Sequence, residues 1–280
     1  MKRWIMDKHT PTRGLSFEAS ESLYTESSQY QTIEIVKTAD FGTVMLLDGV
    51  LMVTQRDEFV YHEMLSHPTL FTHPNPQNVL IIGGGDCGTL TQVLRHPSVQ
   101  KVIQVEIDEM VTRVSRQYFP QLTECISDPR AELIFADGIR YLQENQDSFD
   151  VILVDSTDPV GPAEGLFRKE FFADCHRALK ADGILTIQSE SPWIDDLQVV
   201  ISQVNKDLKE LFTYVNPYLA SIQTYQAGLW MFQMASKKYQ PCLEDQTNAI
   251  KESGMQFSYF NRDVFSGCFI LPEFVRKLIQ

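Results

Sequence analysis

Residues 79–88, VLIIGGGDCG, restrict the fold of this chain more than any other segment. A short run of Val, Leu and Ile that ends in glycines reads as a strand buried on both faces, entering a tight turn that opens a helix. Strand–turn–helix units of this kind build parallel α/β sheets. The glycines, Gly83-x-Gly85-x-x-Gly88, also match the dinucleotide fingerprint, so by themselves they do not separate NAD from a nucleoside carrying positive charge. Asp86 sits among them and favours the second. Free N–H groups at a helix start attract phosphate, and a carboxylate in their midst repels it.

The pattern on either side divides the chain. Across residues 23–54, β-prone segments (YQTIEIV, TVMLL, VLMVT) alternate with the turn signals Ala39-Asp40-Phe41-Gly42 and Asp48-Gly49, which predicts antiparallel hairpins. Residues 56–71 carry apolar positions at helical spacing, and THPNPQ follows as a linker. The expected units are residues 1–74, a β-hairpin domain with a connecting helix, and residues 75–280, a Rossmann-like catalytic domain. In the second unit strands and helices alternate: VLIIG, a helix over 89–96, KVIQVEID, a helix over 109–119, AELIFADG, VILVDS, a helix through Cys175, and ILTIQSE. That order predicts a doubly wound α/β sheet, with ligands at the carboxyl ends of its strands. YLASIQTYQAGLWMF reads as a further strand and its turn, packed for the core.

Charge narrows the partners. With 24 basic and 37 acidic side chains the net charge is −13, which argues against nucleic acid and anionic membranes and favours small polycations. Solubility alone is the ordinary explanation for such a balance. The five cysteines are scattered and include no C-x-x-C pair, which fits a reduced cytoplasm. The opening MKRWIMDKHTPTRG has no apolar core of signal-peptide length, and no run of about 18 apolar residues occurs, so neither secretion nor a membrane span is expected.

Carboxylates stand at four strand ends: Asp86, Glu106 with Asp108, Asp137, and Asp155 with Asp158. Each alone is explained by helix capping or a turn. Together they converge on one crevice, where several uncompensated acids are costly unless the ligand is cationic. Glu106 lies roughly 20 residues beyond the glycine loop, where an acid accepts from ribose hydroxyls. Asp137 with Gly138 suits an adenine amino group approached closely by the ring. The segment DSTDPVGP (155–162) sets acids beside hydroxyls and then a stiff loop fit to cover a substrate. HEMLSH resembles a metalloprotease helix, but its histidines at i, i+5 point about 140° apart, so zinc is rejected and no metal is expected.

The combination of IIGGGDCG, VEID, DG and DSTDPVGPAE, with LDGV, RDEFVYHEM and HPNP upstream, resembles the polyamine aminopropyltransferase family, the spermidine synthases. The likeness runs from about Tyr24 to LPEF near the C-terminus. It implies a methyltransferase-like Rossmann domain behind a small antiparallel β domain, with subunits paired as homodimers or homotetramers. Decarboxylated S-adenosylmethionine is the implied co-substrate, a polyamine the implied acceptor, and no metal or permanently bound cofactor is implied. Position by position, Gln31, Glu106, Asp137 and Gly138 match nucleoside contacts, with Pro162 close by, and Asp86 matches the residue that holds the aminopropyl amine. Tyr61, His62, Ser156, Thr157, Asp158, Gln188 and Tyr225 fall where the family lines its acceptor channel beside Asp86, and Asp155 matches its proton acceptor.

The implied reaction is direct displacement by putrescine, giving spermidine and 5′-methylthioadenosine. An S-adenosylmethionine-dependent putrescine N-methyltransferase and a catalytically idle polyamine-binding protein are the alternatives. Three departures touch the likeness. Cys87 replaces a usual glycine, Gln223-Thr224-Tyr225-Gln226 replaces Pro-Thr-Tyr-Pro, and Phe265-Ser266-Gly267-Cys268 replaces a histidine-led run. If residue 87 needs positive φ, its Cβ costs stability. The last two changes leave the length of the acceptor amine open.

Overall fold

Five strands, β1 Arg3–Thr10, β2 Arg13–Ser27, β3 Thr32–Thr38, β4 Thr43–Leu47 and β5 Val50–Thr54, form one antiparallel sheet in chain order. This computed structural model describes residues 3–159 and 161–280, without the side chains of Pro162 and Gln226. The β3–β4–β5 hairpins follow the expected pattern. Asp48 and Gly49 both take positive φ (50° and 84°), the geometry that a two-residue hairpin turn needs to match strand twist. The β1–β2 hairpin was not expected. In β1 Ile5 and Asp7 are buried while Trp4 and Met6 are exposed, so apolar side chains occupy both faces and the period-two contrast is lost.

Helix α1, Glu58–Thr72, leads from this sheet to the next. Met64, Leu65 and Phe71 on it pack with Tyr218 and Phe232, and the Tyr218 hydroxyl donates to the Met64 carbonyl at 2.7 Å. The second unit alternates as the sequence predicts: β6 Asn78–Gly83, α2 Gly88–Leu94, β7 Lys101–Glu106, α3 Glu109–Tyr118, the short α4 Pro120–Thr123, β8 Ala131–Phe135, α5 Gly138–Glu144, β9 Phe149–Asp155, α6 Lys169–Ala178, β10 Leu179–Gln188. Then come α7 Asp195–Leu211, β11 Tyr214–Ser221, β12 Leu229–Ser236, α8 Glu244–Glu252, α9 Arg262–Cys268 and α10 Glu273–Leu278.

The seven strands lie in the order β11-β12-β10-β9-β6-β7-β8, parallel from β10 through β8, with β12 and β11 antiparallel at one edge. Alternate residues of the central strands feed two cores. Leu80, Ile82, Ile152 and Val154 meet Phe171, Phe172 and Leu208, while Val79, Ile81, Val151 and Leu153 meet Leu90 and Val93. Burial on both faces is what the continuous apolar runs required. Chain order reverses between β6 and β9, and such a switch point opens a crevice at the carboxyl ends. Gly83 and Asp155 are register partners there.

Candidate active site

The glycine turn is shaped by how closely Asp155 approaches it. Gly84 donates its N–H to the Asp155 carbonyl at 2.8 Å, and a Cβ on Gly83 would lie 2.1 Å from that oxygen. A Cβ on Gly84 would stand 2.8 Å from Asp155 Oδ2. Glycine is therefore required by contact as well as by the positive φ of both positions (84° and 69°). Gly88 is required by a different neighbour, since its Cβ would overlap the His62 ring at 2.1 Å. Cys87 does take positive φ, 69°, so the departure from glycine carries local strain of about 1 kcal/mol. Its fully buried thiol packs with Leu90 and Val93, which offsets part of that cost.

Asp86 caps the turn and faces inward. Its Oδ1 accepts from the Gly88 N–H at 2.6 Å and its Oδ2 lies 3.3 Å from His62 Nε2. The other ring nitrogen of His62 meets Glu58 Oε2 at 2.7 Å, so both are taken by carboxylates. Burial disfavours the imidazolium, but Asp86 and Glu58 override it and hold the His62 pKa well above its usual value. Burial would raise Asp86, and the His62 charge reverses this and keeps Asp86 below the ordinary aspartate value. His67 points elsewhere, to His96 (2.9 Å) and Gln92 (3.2 Å), so the two histidines of HEMLSH share no ligand.

Asp155 has the opposite electrostatics. Its Oδ2 accepts from the Thr89 hydroxyl at 2.6 Å, and the Tyr61 hydroxyl also bonds to it. Burial, followed by the charge of Asp86, pushes its pKa up to about 6. Two neighbouring acids are thus driven apart, one held ionised and the other held near the range of a working base.

Glu106 ends β7 with Oε1 accepting from the Asp108 N–H at 2.8 Å, and burial raises its pKa to about 7. Asp108 caps α3 through the Met110 N–H (3.1 Å) and accepts from Gln31 Nε2 at 3.0 Å, which ties the small sheet to the crevice. Asp137 Oδ1 caps α5 at the Ile139 N–H (2.9 Å), and Gly138 lies so close to Ile82 that a Cβ would come within 2.7 Å. The capping explanation holds for Asp86, Asp108 and Asp137, and a functional one is not displaced by it, because every expected site residue with a described side chain lines a single crevice. Pro162 was expected beside the nucleoside, and its side chain lies outside the described residues.

At the far end, Gln188 Nε2 donates to the carbonyls of Ser156 and Thr157, each at 3.3 Å, and braces the 155–158 segment. Ser156 Oγ is buried without a partner among the described residues. Tyr225 spends its hydroxyl on the Met52 carbonyl (2.8 Å) and presents its ring to Tyr61 and Trp230, with centroids 5.5 and 4.8 Å away. Thr224, in the altered loop, binds the buried Asp57 carboxylate through its hydroxyl at 2.8 Å and its N–H at 3.1 Å. The 223–226 loop is therefore anchored without the family's prolines.

Sequence reasoning missed Thr89, Glu58, Asp7 and Glu190. Thr89 directly follows Gly88, so a hydroxyl at the first turn of α2 was a signal within reach. Glu58 stands one helical turn before His62. Asp7, which lines the crevice 3.3 Å from His9, comes from a segment with no legible motif, whereas Glu190, buried with positive φ and with Oε1 on Gln188 Nε2 at 3.3 Å, is the terminal acid of the strand run ILTIQSE, a signal within reach. Among the described residues no group of three or more His, Cys, Asp or Glu is placed to hold a metal ion.

Residues 58–246 match the spermine/spermidine synthase domain, and residues 3–55 match the spermidine synthase tetramerisation domain. A polyamine aminopropyltransferase of Clostridium perfringens is 41% identical over 280 residues, covering 100% of this chain and 99% of the relative. That of Bacillus mycoides is 43% identical over 280 residues, with both chains covered completely. Spermidine synthase from Thermotoga maritima superposes with a TM-score of 0.94 at 38% identity, over 100% of this chain and 96% of that one. A spermidine synthase solved with the transition-state analogue AdoDATO gives 0.95 at 38%, with the same coverage of both chains. With both domain models matched in order and relatives aligned from end to end, the chain belongs to the polyamine aminopropyltransferase family, the spermidine synthases.

Proposed function

We propose that the protein transfers the aminopropyl group of decarboxylated S-adenosylmethionine to putrescine, yielding spermidine and 5′-methylthioadenosine. The observation that carries this reading is the pair Asp86, within the glycine turn, and Asp155, packed against it, two half-buried carboxylates with pKa values driven in opposite directions. Asp86 receives the aminopropyl ammonium. Glu106 accepts from the ribose hydroxyls, Asp137 and Gly138 receive adenine, and Gln31 supports the nucleoside end, with Pro162 over it. Tyr61, Tyr225, Ser156, Thr157, Asp158 and Gln188 border the path of the acceptor.

In the displacement the lone pair of a neutral amine attacks the methylene beside sulfonium, the carbon–sulfur bond breaks, and its electrons return to sulfur as a neutral thioether. Alkyl amines have a pKa near 10, so the acceptor arrives as an ammonium and must lose a proton before attack. Attack then leaves the new nitrogen as a secondary ammonium, so a single proton is displaced in all. Asp155, with a pKa near 6 and oriented by the Thr89 and Tyr61 hydroxyls, takes it up. The charge change is favourable, since sulfonium beside Asp86 and Asp155 is replaced by an ammonium that leaves with the product.

Purified protein given both substrates should form spermidine and methylthioadenosine in equal amounts. Methylthioadenosine without aminopropylated amine would contradict transfer. Nucleoside binding should also release a proton near pH 7, because hydroxyl donors stabilise the ionised form of Glu106, whose pKa is about 7. Calorimetry in buffers of different ionisation enthalpy would detect the release at pH 7 and find it vanish above pH 8; no buffer dependence would remove Glu106 from the ribose.

The match of residues 3–55 to a tetramerisation domain supports an oligomer, with the β1–β5 sheet as its contact and the exposed Trp4 and Met6 on it. Homodimer or homotetramer is the stoichiometry proposed. The five free cysteines suit the cytoplasm. No described helix is long and apolar enough to cross a membrane.

A further inference from the structure

Two of the five cysteines share one acceptor far from the crevice. Cys242, exposed in the turn before α8, and Cys268, at the end of α9, each direct the thiol to the Phe265 carbonyl oxygen, both at 3.4 Å. Two sulfur atoms each 3.4 Å from one oxygen are at most about 7 Å apart, and a link needs side-chain rotation to bring them into bonding range. Neither thiol serves the crevice. The surrounding packing gives a link there mechanical meaning: Phe265 is fully buried, with Phe260 at 6.0 Å and Phe269 at 5.9 Å between ring centroids. Phe269 in turn meets Tyr218 (5.1 Å), whose hydroxyl holds α1 at the Met64 carbonyl.

We infer that Cys242 and Cys268 form a reversible intramolecular disulfide when the protein meets a small-molecule disulfide oxidant, fastening α9 to the turn that precedes α8. The Cys242 thiolate attacks one sulfur of the oxidant, giving a mixed disulfide and releasing one thiol. The Cys268 thiolate then attacks Cys242 Sγ and expels the second. Two protein S–H bonds are lost, one S–S bond forms, and the oxidant leaves as two thiols. Exposure of Cys242 makes it the entry point, and the half-buried Cys268 is the resolving partner. Burial raises both thiol pKa values, so exchange is slow at neutral pH and quickens as pH rises.

The test incubates the whole protein with oxidised glutathione at about pH 8.5, followed by alkylation, peptide mass mapping and thermal melting. The expected result is a linked peptide pair containing Cys242 and Cys268, lighter by two hydrogens, and a melting midpoint higher by roughly 5 °C. Dithiothreitol should reverse both, and Cys242→Ser should show neither while melting, when reduced, like the reduced parent. A persistent glutathione adduct on Cys242 with Cys268 still free would overturn the inference. So would a Cys87–Cys125 link in its place, or an equal rise in Cys242→Ser.

Discussion

Asp155→Asn is expected to lower kcat by about a thousandfold while KM for the nucleoside substrate stays within about twofold. The amide keeps the size of the carboxylate and still accepts from the Thr89 hydroxyl, so the glycine turn, which contacts the Asp155 backbone at Gly83 and Gly84, retains its shape. What is lost is the place for the proton. The parent enzyme should lose acceptor kcat/KM as pH falls through about 6. A carboxyl whose pKa is raised to that value by burial, then by Asp86, is ionised above it and protonated below. The variant should lack this limb. Steady-state kinetics across pH 5–9 would show both, and turnover unchanged by the substitution would remove Asp155 from the mechanism.

Asp86→Asn should have its largest effect on the other substrate. Replacing the ionised partner of the aminopropyl ammonium with a neutral amide costs about 2 kcal/mol, or roughly thirtyfold in KM for decarboxylated S-adenosylmethionine. Its effect on choice between substrates is greater. Ordinary S-adenosylmethionine carries a carboxylate at that end, and opposing it to Asp86 costs several kcal/mol. Neutralising Asp86 should therefore weaken the preferred substrate and strengthen the rejected one, so that discrimination falls from both sides. Binding isotherms for the two nucleosides, with the melting midpoint as a check on folding, measure this directly. Equal loss of affinity for both would contradict the assignment.

The larger sheet was legible because its strands are uninterrupted apolar runs, such as VLII and VILV, that each end in a glycine or an acid. The acids mattered twice. They ended the strands, and at the switch point of a doubly wound sheet the same positions converge. The β1–β2 hairpin was hidden by Trp4 and Met6 on the outer face, where an isolated sheet would carry polar residues. Partnerships between segments were equally hidden. Nothing in the sequence says that Thr89 serves Asp155, that Glu58 and Asp86 enclose His62, or that the Tyr225 hydroxyl is used by the Met52 carbonyl. These contacts depend on distances between elements far apart in the sequence. Cys87 lies between the two cases: its cost was conditional on backbone conformation, and the left-handed φ of 69° supplies the condition.

Competition between the two nucleosides tests the central claim, that the crevice is built for a cation and against a carboxylate. Purified protein would receive putrescine with equal concentrations of decarboxylated and ordinary S-adenosylmethionine, and the amine products would be separated and weighed. The expected product is spermidine, with no methylated amine. N-Methylputrescine as the main product would contradict it.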